Sequence, residues 1–157
     1  MILDLQNLIS DSQSIAAIAS TIIGTNKIDL GAAGTIPPGF QARGSAPHDL
    51  QGGTDIELLC QIDTTVTSGG AATLQVQIIA DDDPAMGSPN ILCSSAVIAL
   101  ATLVAGYNFK LKVPNYNNTT TDYRYLCAQY IIGTATTTAG TITTALLMDK
   151  QTGIGVS

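Results

Sequence analysis

The strongest constraint on this chain is a pair of alternating segments on either side of a glycine turn. From Ile56 to Val66 the even positions are apolar apart from Thr64, and the odd ones are polar apart from Leu59. From Ala72 to Ala80 the alternation resumes with even positions inward. A period of two gives each strand one buried and one solvated face. Thr67-Ser68-Gly69-Gly70 reads as a turn between them, so the pattern predicts a β-hairpin.

Further strands are expected at Thr25–Leu30, about Ile91–Ile98, Tyr107–Val113, Tyr123–Ile132 and Thr141–Met148, with a short helical turn at Ala101–Gly106. Tyr123–Ile132 is apolar on both faces, the mark of a central strand covered on both sides. Asp81–Asn90, Pro114–Thr121 and Gly133–Gly140 read as loops, and Lys150–Ser157 as a loose tail. Seven or eight strands of similar length predict an all-β fold, a two-sheet antiparallel sandwich, most simply a jelly roll. An immunoglobulin-like sandwich is the alternative, but its central Trp is missing from a chain with no Trp.

The 157 residues suit one domain with an arm. Residues 1–20 are read as that arm, residues 21–157 as the sandwich, and the Gly/Pro-rich stretch 31–53 as a long loop. Ile2, Leu3, Leu5, Leu8 and Ile9 give the arm an apolar character that fits neither a clean strand nor a long helix. It is expected to dock, in cis or in trans, and these five residues are the candidate contact residues.

Charge is scarce. Lys, Arg, Asp and Glu make up 11% of the chain, against about 25% in a typical domain. The 20 Thr outnumber these 18 ionisable residues, and Thr favours strands. A surface so thinly charged is read as partly intended for contact with other protein. Six Lys and Arg cannot line a phosphate backbone, so no nucleic-acid partner is expected. Low aromatic content argues against a stacking platform for bases or sugars. Two long stretches lack charge altogether, Pro84–Phe109 and Tyr125–Met148. Pro89 and Asn90 interrupt the first, and Gly133, Gly140 and many Thr the second, so neither reads as a membrane helix. Met1–Gly24 has no basic region and carries Asp4 and Asp11, so no export signal is expected.

Candidate chemistry is sparse. Cys60, Cys93 and Cys127 are widely spaced and form no CxxC, so buried free thiols are expected, without zinc or redox work. The one histidine, His48, lies beside Asp49 and near Ser45. These could compose a hydrolase triad, but no G-x-S-x-G elbow supports it, and neighbours in one loop rarely reach triad geometry. Asp81-Asp82-Asp83 could draw calcium, but Pro84 breaks the ligand spacing, so a solvated loop is expected. Glu57 and Asp63 share a strand face but stand roughly 20 Å apart by strand rise, too far for paired acid–base work. Asn117-Asn118-Thr119-Thr120 holds two sequons and reads as a turn. No catalytic residue, cofactor or metal is expected.

Several segments together resemble the capsid cement, or decoration, proteins of short-tailed bacteriophages related to a Bordetella phage. They are MILDLQNLISDSQSI at the start, Lys27–Gly31, Gly69–Leu74, the acidic loop Asp81–Pro89, Ala101–Tyr107 and Tyr123–Leu126, in order along nearly the whole chain. The resemblance implies a non-enzymatic jelly roll on the outer surface of an icosahedral head, made in the bacterial host cytoplasm. Its partners would be the major capsid protein and itself, a dimer across capsid two-folds ahead of a trimer at three-folds. Ile2–Ile9 would strap onto a neighbour. The alternative is a head-fibre or receptor- or glycan-binding sandwich, with Tyr107, Tyr116, Tyr123, Tyr125 and Tyr130 standing in for Trp at a sugar site.

Overall fold

The computed structural model describes residues 7–30, 56–114 and 123–147. Ten strands run in chain order: β1 (Leu8–Ser14), β2 (Thr21–Ile23), β3 (Ile28–Asp29), β4 (Glu57–Ser68), β5 (Thr73–Asp81), β6 (Asn90–Ser94), β7 (Ile98–Ala99), β8 (Asn108–Lys112), β9 (Tyr125–Gly133) and β10 (Thr137–Leu147). A 3-10 turn, Leu100–Thr102, lies between β7 and β8. One sheet has the order β1-β10-β4-β8 and the other β2-β9-β5-β6. The short strands β3 and β7 extend the second sheet by pairing with β9 and β5. All these pairings are antiparallel.

With β3 taken with β2 and β7 with β6, eight strands form two four-stranded layers. Of the strands that follow one another in the chain, only β5 and β6 lie side by side in one sheet. In every other step the two strands belong to different sheets. That double Greek-key arrangement is the jelly roll.

The predicted hairpin is therefore corrected. Both strands form where the alternation placed them, but β4 belongs to one sheet and β5 to the other. The chain at Gly69–Ala72 crosses between layers. Facing sheets and paired strands both turn their apolar positions toward the same core, so period 2 cannot tell the two apart. The Gly70 position shows why the corner needs glycine: an added Cβ would stand 3.0 Å from the Ala135 Cβ.

The core lies between the layers. Leu58, Cys60 and Ile62 from β4 face Leu74, Val76 and Ile78 from β5, and all six are buried. β9 is the predicted central strand, flanked by β5 on one side and by β2 and β3 on the other. Its Leu126, Cys127 and Ala128 are buried in succession. From it Tyr130 reaches across the core. Its hydroxyl lies 2.7 Å from Ser10 Oγ and 2.6 Å from Thr144 Oγ1, and Ser10 donates onward to Gln13 Oε1 at 2.6 Å. Each hydroxyl proton is used once if Thr144 donates to Tyr130 and Tyr130 to Ser10. This buried chain of hydrogen bonds ties the second sheet to both β1 and β10, and burial pushes the Tyr130 phenol well above its ordinary value.

The segment read as an arm joins the sandwich in cis from Leu8 on. β1 pairs with β10, and Ile9 and Ile15 are fully buried. Burying an isoleucine contributes about 1.5–3 kcal/mol, which anchors this edge strand. The expected strand at Thr25–Leu30 is narrower, only β3, and the strand at Ile91–Ile98 is split into β6 and β7 by residues 95–97. The expected loops at 31–53 and 115–121 lie outside the described residues.

Candidate interaction surface

The strand registers give the described sandwich two ends. At the first end lie Ile15–Ser20, Gly69–Ala72, Val97–Gly106 and Thr134–Thr136. Contacts between them link them into one continuous surface. The Thr137 hydroxyl donates to Ile15 O (2.6 Å) and accepts from the Ala17 N–H (3.0 Å). Gly70 abuts Ala135. The Leu100 N–H donates to Ala72 O, and the Val66 N–H to Leu103 O.

None of these connections carries an ionisable acid or base. The nearest charge on β4 is Asp63, which follows Ile62, whose O accepts the Gly106 N–H at 2.8 Å. Large apolar side chains stand open here instead: Ile18 is 78% exposed, Val97 62% and Val104 48%. We call this the neutral end.

The opposite end gathers the charge. Lys27, Asp29, Glu57, Asp81, Asp82, Asp83, Lys110, Lys112 and Arg124 all lie toward it, leaving only Asp11 and Asp63 elsewhere among the described residues. Arg124 grips Asp29 through two hydrogen bonds of 2.8 and 2.7 Å and lies 5.0 Å from the centre of the Tyr125 ring. Asp29, as the bond's main contributor, raises the guanidinium above its ordinary value. Lys110 pairs with Glu57 at 3.0 Å.

Among the candidate acids, Glu57, Asp63 and Asp81 each hold partners within the fold. Glu57 is occupied by Lys110. Asp63 accepts from Thr143 at 2.6 Å and from Ser12 at 3.3 Å, on the sheet surface. In the acidic run, Asp81 is buried and accepts the N–H groups of Asp83 and Ser88, both at 3.1 Å. Burial alone would raise its carboxyl, but those N–H groups and the neighbouring Asp82 hold it below its ordinary value. Asp81 therefore closes a loop rather than facing an ion. This corrects the expectation of a wholly solvated run, since only Asp82 and Asp83 are exposed. Among the described residues no group of three His, Cys, Asp or Glu side chains is gathered as for a metal ion. His48, Asp49 and Ser45 lie outside the described residues, as do Asn117, Asn118, Thr119 and Thr120.

The thiols are free. Cys60 and Cys127 are buried, while Cys93 is only half-buried, a correction to the expectation for all three. Burial pushes Cys60 far up and Cys127 up to about 11, so neither is a ready nucleophile. The described tyrosines are scattered: Tyr130 is buried, Tyr107 packs tilted against Phe109 of β8 with ring centres 5.8 Å apart, and Tyr123 and Tyr125 are half-buried at the charged end. Tyr116 lies outside the described residues.

The candidate contact residues divide. Ile9 is spent on this chain's own core, so it is corrected from contact residue to core residue. Leu8 is half-buried in the ladder with β10. Ile2, Leu3 and Leu5 lie outside the described residues. Sequence reasoning missed Ile18, Val97 and Val104. The signal for Val97 and Val104 was present in the uncharged stretch Pro84–Phe109, whereas Ile18 lies outside both uncharged stretches.

No curated protein matches the chain. The profile of one family, described as Bbp16, matches residues 9–146, from the first core residue of β1 to the penultimate residue of β10. The chain belongs to the Bbp16 family.

Proposed function

We propose that this chain is a non-enzymatic decoration protein that binds the outer surface of a bacteriophage head, bridges major capsid subunits and stabilises the shell. The observation that carries the reading is the family match over residues 9–146, whose name points to a Bordetella phage protein. The surface supports it. A decoration protein needs broad contact and no reacting groups, and here Glu57 and Asp63 are hydrogen-bonded, Asp81 closes a loop, and Cys60 and Cys127 are buried. Many copies on a symmetric shell add weak contacts into a strong one. The acidic balance, net charge −6, suits a protein outside the head rather than one packed against nucleic acid.

The test is co-sedimentation of the purified full chain with mature capsids lacking it, followed by heating. Saturable binding and a raised capsid melting temperature are expected. Absence of binding would end the decoration reading. The arm needs a narrower cut than its length suggests. Removing residues 1–6 spares Ile9 and Ser10, whereas any cut beyond Leu8 also removes the core and the hydrogen bond to Tyr130. Loss of binding with an unchanged melting temperature is expected for the short cut.

A further inference from the structure

We draw no further inference here: the strongest candidate, the surface patch at the neutral end of the sandwich where Ile18, Val97 and Val104 stand exposed, is an unpartnered apolar face, and nothing in the structure shows what covers it.

Discussion

The two ends of the sandwich are built by different physics. At the neutral end, backbone and hydroxyl hydrogen bonds hold four connections together without any ion pair. At the charged end, an exposed Arg124–Asp29 pair and a Lys110–Glu57 pair decorate the strands, and Asp81 closes a loop. The described residues next to 1–6, 31–55, 115–122 and 148–157 all lie at this charged end, at Asn7, Leu30, Ile56, Pro114, Tyr123 and Leu147. The contrast teaches that charge here is not what holds the fold. Exposed ion pairs contribute little, whereas a buried hydroxyl or a glycine at a tight approach is hard to replace. Among the described residues charge gathers toward one end of the sandwich.

Substitutions at each end test that contrast, and the largest effect is expected near the neutral end. Gly140 in β10 has φ +137, and a Cβ there would stand 2.8 Å from Val66 Cγ2 and 3.1 Å from the Val66 Cα. Gly140→Ala is expected to cost about 2–4 kcal/mol in urea unfolding. A loss below 1 kcal/mol, roughly the scale of an ordinary surface change, would show that β10 yields there.

Thr137→Val comes next. It keeps the shape but leaves Ile15 O and the Ala17 N–H without their partner. A loss of about 2 kcal/mol is expected, and full recovery of stability in Thr137→Ser would confirm that the hydroxyl is what matters.

At the charged end the effects shrink. Asp81→Ala is expected to cost about 1–2 kcal/mol at neutral pH through lost hydrogen bonds to its carboxylate. The folded carboxyl titrates below its ordinary value, so the folded state binds fewer protons than the unfolded one in acid. Its contribution is full above the unfolded value of about 3.9 and is lost as pH falls through the folded one. Urea midpoints between about pH 6 and pH 2 should fall less steeply in Asp81→Ala than in wild type. Parallel curves would mean that Asp81 contributes no linkage.

The smallest effect belongs to Arg124→Ala. Both partners of that pair are exposed, and no resolvable change in the urea midpoint is expected. A clear loss would break the comparison, because the charged end would then depend on its ions.

Much of the fold was legible in local pattern. Alternation located β4, β5 and β8, and the apolar run Tyr123–Ile132 announced a central strand, because burial on one or both faces is written directly into residue order. The candidate site was legible only in negative form. The uncharged stretches around Val97, Val104 and Ala135 were visible, but nothing local says that they meet Ile18 at one end.

By itself the sequence determined the strand content, the poverty of charge and the scarcity of reacting groups, since each depends on residue type and near neighbours. Tertiary structure alone decided that β4 and β5 face each other across the core, that Ile9 belongs inside, and that Thr137 on β10 closes over Ile15. A residue's own alternation specifies which side is buried. It carries no information about which distant strand supplies the cover, and that choice is made only when the two sheets close around Tyr130.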